Sequence, residues 1–281
     1  MAKTFFFHSQ GVGLGGIVTR PFQQLIDTRA GASLPITGGK AAGSSGKHTV
    51  PDLKDPQCAG LPEVVSIDSA LTELSGTLDP DGVYRTRVNA TVTGLNVGGT
   101  VTADTVVASL LSEHFPGEDE PRISVAGSKI EGLQVLGQPV TVDFDDTLFN
   151  NLNTYSTFKG EFDRNQNFKK DMRRRFLWGD LQPDEIPACL REQYQFTEKQ
   201  KSLPEAKGIV PCSVVRGASG SSGFQAFRHV LVIPDFGVLF LGELLMEKDA
   251  RRLTMMRFQL GSPMAADLTV ASGEANGSTW P

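Results

Sequence analysis

Asp143, Asp145 and Asp146 form the densest acidic group in the chain. Carboxylates at this spacing suit a hard divalent cation or an acid–base pair, and on a strand Asp143 and Asp145 project from one face. The chemistry they would support is metal-assisted hydrolysis. A local role competes with it: Asp146 or Thr147 caps a helix that starts there, and the negative charge complements the positive end of the helix dipole. The local role is the more economical, because Asp104, at the matching place in a repeated block described below, has no acidic neighbours.

A second cluster is basic. Lys169, Lys170, Arg173, Arg174 and Arg175 follow Arg164, with Phe168, Phe176 and Trp178 nearby as stacking surfaces. On a helix this group would engage an acidic protein or an anionic surface. Glu161, Asp163 and Asp180 offer the alternative of a solvated, internally paired helical face, which is what such charge runs usually are.

Other patterns lead less far. Gly11-x-Gly13-x-x-Gly16 has the glycine spacing of a dinucleotide fingerprint, but the β-branched run that follows, with Pro21 in it, does not open the helix a pyrophosphate needs. It reads as a flexible glycine linker or a β-bulge region. The four histidines show neither HxH nor HExxH spacing, and Ser44, Ser45, Ser221 and Ser222 lie in glycine loops without a Gly-x-Ser-x-Gly motif. No cofactor is expected, and catalysis is the less favoured class of function.

The elements that must position these groups are mainly strands. Thirty Gly and sixteen Pro in 281 residues favour turns over long helices, while 39% hydrophobic and 21% charged residues are globular proportions. Residues 3–10 read as an aromatic first strand, and Phe5, Phe6 and Phe7 are candidates to cover a sheet edge of this chain or of a neighbouring copy. Residues 31–60 read as a long loop, least ordered near 38–47. Residues 84–92 alternate with period two, as a strand with one wet face does.

An internal repeat follows. Gly94-Leu95-Asn96-Val97-Gly98-Gly99-Thr100-Val101-Thr102-Ala103-Asp104 recurs as Gly132-Leu133-Gln134-Val135-Leu136-Gly137-Gln138-Pro139-Val140-Thr141-Val142-Asp143. Each copy has the signature of a β-hairpin in one sheet system. From Thr147 the apolar spacing changes to three and four, through Leu148, Leu152, Tyr155, Phe158 and Phe162, which predicts a helix starting there. Strand character returns at 208–215, 229–233, 237–246 and 253–260, with a flexible glycine-serine break at 217–223.

The expected fold is mainly β: an antiparallel β sandwich or barrel-like domain built from residues 1–146 and 205–270. A helical insertion interrupts it at about 147–203, closing at residue 204, and residues 271–281 read as a tail.

The blocks at Gly94-Leu95-Asn96-Val97 and Gly132-Leu133-Gln134-Val135, with Val101-Thr102-Ala103-Asp104 and His229-Val230-Leu231-Val232, resemble the repeat style of bacterial choice-of-anchor surface proteins. The resemblance implies a secreted, β-rich protein without an assigned activity and carries over no functional residues. This sequence departs from that family in showing neither a signal peptide nor an anchor.

A net charge of −5 and a pI near 5.5 argue against a nucleic-acid partner. Residues 1–10 lack the apolar core of a secretory signal, and no apolar run approaches the roughly 20 residues of a transmembrane helix. Localisation is expected to be cytoplasmic, or outside the cell by export without a classical signal peptide. The leading expectation is a non-enzymatic structural or binding protein that forms homo-oligomers by self-association through β edges. The alternatives are a metal-assisted hydrolase using the acidic cluster, and a non-classically exported toxin or effector whose basic helix engages a membrane or host target.

Overall fold

The computed structural model describes residues 4–52, 58, 60–145, 147–168, 190, 210–246 and 250–280. In chain order the strands are β1 (Thr4–Arg20), β2 (Gln24–Arg29), β3 (Ala32–Ser33), β4 (Gly39–Ser45), β5 (His48–Val50), β6 (Val65–Ile67), β7 (Ser69–Leu78), β8 (Tyr84–Val97), β9 (Val101–His114), β10 (Arg122–Ser124), β11 (Lys129–Glu131), β12 (Gln134–Val135) and β13 (Gln138–Phe144). Helix α1 (Tyr155–Arg164) comes next, then β14 (Val210–Ser213), β15 (Val215–Gly220), β16 (Gln225–Phe227), β17 (Val230–Ile233), β18 (Gly237–Met246), β19 (Arg251–Leu260) and β20 (Ala265–Trp280).

The strands form two antiparallel sheets, a sandwich rather than a closed barrel. Sheet A runs β16-β17-β18-β19-β20-β1-β2, with β14 on β18 and β3 on β1. Sheet B runs β15-β13-β12-β9-β8-β6-β5, with β7 between β8 and β4, and with β10 and β11 on β9. Inward-facing Val88, Ala90, Val106, Ala108 and Leu110 of sheet B share one core with Phe5, Phe7, Leu14, Leu268 and Val270 of sheet A. Hydrophobic burial of this kind is the main force holding two sheets together.

Where β1 and β20 cross sheet B, small residues let the backbones close in. A Cβ on Gly11 would lie 2.5 Å from Thr72 Cγ2, one on Gly13 2.6 Å from Ala70 Cβ, and one on Gly273 2.7 Å from Val88 Cγ1. The Gly11–Gly16 run is therefore strand packed against the opposite sheet, and the linker reading fails. Its bulge reading holds at the β1–β2 register shift between Leu14 and Gly16.

Both sheets are creased along a line across their strands. In β8 the inward set is Thr86, Val88, Ala90 and Val92, then Leu95 and Val97, so the alternation skips a step at Gly94, where φ is +61°. It skips in β9 between Ala103 and Val106, and across β6 and β7 between Ile67 and Ala70. The pairings Thr93↔Thr105 and Leu95↔Ala103 keep one register on either side, so the strands roll over together without slipping. Sheet A repeats the device in β18 at Gly242 (φ +61°), in β19 between Met255 and Met256, and in β20 between Val270 and Ala271 (φ +49°).

Several expectations are corrected. Residues 271–280 are not a tail: they are the second half of β20, which pairs with β1 from Ala265 to Trp280 and with β19 up to Glu274. Their small, polar composition reflects tight packing, since Gly277 is filled against the Phe5 ring and Gly273 against Val88. Within residues 31–60, β4 pairs along its whole length with β7, from Gly39↔Gly76 to Ser45↔Ala70. The 217–223 break begins as β15, paired with β13. Gly43, Gly220, Gly273 and Gly277 stand at close approaches within these strands.

The two repeat blocks are hairpins of sheet B, as expected. Gly98 and Gly99 (φ +57° and +65°) turn β8 into β9, and Leu136 and Gly137 (φ +52° and +72°) turn β12 into β13. Positive φ at both central residues matches the twist of the flanking strands. The helix starts later than Thr147: residues 147–151 are turns, and the N-cap is Thr154, whose Oγ1 accepts from the Thr157 backbone N–H at 3.1 Å. Asparagines at 150, 151 and 153 favour turns over a helix interior. α1 buries Phe158 and Phe162, and Phe158 stacks on Phe149. Most of the expected 147–203 insertion lies outside the described residues.

Candidate functional site

Of the acidic cluster, Asp143 and Asp145 are held apart. Asp143 is exposed on β13 opposite Gly217, and a register shift between Asp143 and Phe144 turns the chain there. Asp145, only 6% exposed, accepts from Thr147 Oγ1 at 3.1 Å and from Arg216 Nη2 at 3.5 Å, while its backbone N–H donates to Val214 O. The two side chains thus leave the common face a regular strand would give them, and Asp145 meets a hydroxyl and a guanidinium. Asp146 lies outside the described residues. Among those described, no three His, Cys, Asp or Glu side chains converge as metal ligands.

The phenylalanine run does not form an edge. Phe5 and Phe7 are buried: Phe5 stacks on Tyr84 at 4.1 Å between ring centroids and meets Phe7 edge-on at 4.9 Å. β1 carries β20 along one side and β2 and β3 on the other, where Phe7 N also donates to Ile36 O at 2.9 Å. Only Phe6 turns to the outer face, half-buried. Two large aromatic rings on alternate residues gain more from the core than from an edge. Lys169, Lys170, Arg173, Arg174 and Arg175 lie outside the described residues.

Residues that the sequence reading missed form a charge ladder on the outer face of sheet A. Glu274 on β20 receives Arg252 Nη2 at 2.8 Å, Gln10 Nε2 at 3.2 Å and His8 Nε2 at 3.3 Å. Burial works to raise the pKa of this carboxyl. The hydrogen bonds from Arg252 and Gln10 and the charges of Arg252 and His8 outweigh it and hold the group below its ordinary value. Across the crease, Arg257 grips Glu243 through two bonds of 2.7 and 2.8 Å and lies 3.7 Å over the Phe240 ring. The one signal for this ladder was Glu274, a lone carboxylate among small residues that read as a tail.

The margins of the sandwich differ. On one side residues 213–215 carry the chain from sheet A to sheet B: Val214 N donates to Gly242 O and accepts Asp145 N at its own carbonyl, and Ala218 N reaches Arg228 O. That side is tied together, with Val214 donating through its N–H and accepting through its carbonyl. On the other, β2 is the outermost strand of sheet A and, among the described residues, pairs only with β1. Its Leu25 is 68% exposed. Arg29 Nε is buried with no acceptor among the described residues. His48 on β5 sits close by, its pKa lowered by burial and by Arg29, against the opposing pull of Asp52 and Asp27. No helix among the described residues is long and apolar enough to cross a membrane.

Two antiparallel sheets over one core, tied at one margin and ending at the other in a strand that, among the described residues, is paired on one side, define a β-sandwich protein. Within that class the chain belongs to the family described as Domain of unknown function (DUF8256), whose model matches residues 5–247. The matched span ends one residue after β18, whereas β19 and β20 complete sheet A between β18 and β1. No curated protein and no solved structure matches the chain.

Proposed function

We propose that this protein is a non-enzymatic structural or binding scaffold that self-associates through the free edge of β2. The observation that carries the proposal is that edge itself: six residues, Gln24–Arg29, with an exposed Leu25 and, among the described residues, no strand on one side. Unpaired edge strands template pairing with another chain, and proteins that avoid it protect their edges with Lys, Pro or very short strands. β2 contains neither Lys nor Pro and its two charges, Asp27 and Arg29, are of opposite sign, while the far edge strand of the same sheet, β16, has only three residues.

A second copy laid antiparallel on β2 extends sheet A across the interface and covers Leu25 of both copies. The role first sought in the phenylalanines of β1 moves to its neighbour. A metal-dependent reading draws no support from an Asp145 committed to Thr147 and Arg216. The likeness to choice-of-anchor surface proteins belongs to the same proposal, as the setting in which a self-associating sandwich would work.

Light scattering after size exclusion, over a range of concentrations, tests this. The expected result is a multiple of 30.3 kDa that Leu25→Lys returns to the monomer. Wild-type protein that stays monomeric throughout would end the proposal.

A further inference from the structure

The open face of sheet B carries a groove independent of the β2 edge. It crosses β4, β7 and β8, with a volume of about 440 Å³, within the roughly 300–1,000 Å³ of small-ligand clefts. Strand pairing orders its side chains in two rows: Lys40, Ser75 and Arg87 in one, Ala42, Glu73 and Asn89 in the next. With strands about 4.8 Å apart and about 6.7 Å between like-facing residues, the two cations stand roughly 10 Å apart, and Glu73 and Asn89 lie one row away.

These charges differ from the paired arginines of the two outer faces. Arg85, two residues earlier on the same face, is held by Asp79, Asp81 and Glu113, and Arg252 and Arg257 on sheet A each hold a glutamate. Lys40, Glu73 and Arg87 make no ion pair and no side-chain hydrogen bond with any described residue, although Glu73 and Arg87 stand on adjacent strands. A guanidinium and an ammonium in a groove are matched by a carboxylate, and Arg can grip one with two parallel bonds. Glu73 is an acceptor for hydroxyl groups, and Ser75 and Asn89 both donate and accept.

The ligand that offers carboxylates and many hydroxyls together is an acidic sugar. An extended peptide fits less well, because a strand laid across the face of a sheet, rather than along its edge, finds no backbone partners for its amides. A phosphodiester chain would meet the Glu73 carboxylate beside the cations. A neutral glycan would leave Arg87 and Lys40 unmatched.

We propose that this groove binds a uronic-acid oligosaccharide, with Arg87 and Lys40 on its carboxylates and Glu73, Ser75 and Asn89 on its hydroxyls. Calorimetry on the full chain tests it, with an oligogalacturonate as the probe, a neutral glucan oligosaccharide of equal length and polyglutamate as comparisons, and the variants Arg87→Gln and Glu73→Gln. Both side chains are exposed, so the variants should melt with the wild type. The expected result is binding of the oligogalacturonate alone, weakened about tenfold or more by each variant, the loss of one hydrogen bond to a charged group. No heat at millimolar ligand overturns the proposal, as does binding that both variants leave unchanged. Equal binding of polyglutamate overturns it too, because it reduces the effect to diffuse charge.

Discussion

The carboxylate of Asp104 occupies the space into which a side chain on Gly132 would project, and Gly132 holds φ at +64°. Asp68 and Gly94 repeat the relationship one step across the sheet, with φ at +61°. Each pair lies on the crease where the strands of sheet B reverse their inward face. The turnover depends on a backbone conformation that L side chains rarely adopt and on a close approach that only glycine permits.

The first prediction concerns that crease. Gly94→Ala and Gly132→Ala each place a methyl group against an aspartate carboxylate at positive φ, and each should cost about 2–4 kcal/mol of folding stability. Gly99→Ala, at a turn where a Cβ meets nothing within 4 Å, carries only the conformational penalty of about 1 kcal/mol. Chemical denaturation of the three variants checks the order, and equal losses would show that the crease imposes no packing constraint.

The second concerns the approach of the sheets. Gly273→Ala sets a methyl 2.7 Å from Val88 Cγ1 and should destabilise by about 1–3 kcal/mol through overpacking. Val88→Ala in the same chain makes room for it, so the double variant should lose clearly less than the sum of the singles. Strict additivity in the thermodynamic cycle would place the two residues out of contact.

The third concerns pH. Glu274 and His48 both have folded pKa values below their ordinary ones, so at each site the unfolded chain is the better proton acceptor, and stability rises with pH. The His48 contribution is lost as pH falls through about 6.5, where the unfolded histidine takes up its proton, and the Glu274 contribution as pH falls below about 4.5 through its folded pKa. Glu274→Gln should therefore be less stable than wild type at neutral pH and converge with it in acid. Urea melts across this range read the difference, and parallel curves would contradict the ladder.

Much of this fold was legible from alternation and turn chemistry. Residues 84–92 announced β8, and the repeated glycine turns announced both hairpins of sheet B. Alternation stopped being readable at the crease: a period of two that reverses at Gly94 looks like the end of a strand, although β8 runs on to Val97. The same effect hid β20, whose phase reverses at Ala271 and whose small residues answer to Phe5 and Val88 across the core. The sites were less legible, because they arise between strands distant in sequence. Nothing local to His8 or Arg252 foretells Glu274, and nothing in Phe5-Phe6-Phe7 reveals that its strand lies inside sheet A and β2 at its margin.

Leu25→Lys should raise the dissociation constant of the self-associated form about a hundredfold. Two leucine side chains lose their cover, at about 1.5 kcal/mol each. Sedimentation equilibrium reads the constant directly, and an unchanged value would place the contact elsewhere on the molecule.

The most direct measurement is amide hydrogen exchange along residues 24–29 at low and at high protein concentration. Pairing at the edge predicts that the outward amides of β2 become protected as concentration rises, while those of the tied margin at β15 stay as they were. Exchange in β2 that is as fast at high concentration as at low would contradict self-association through this strand.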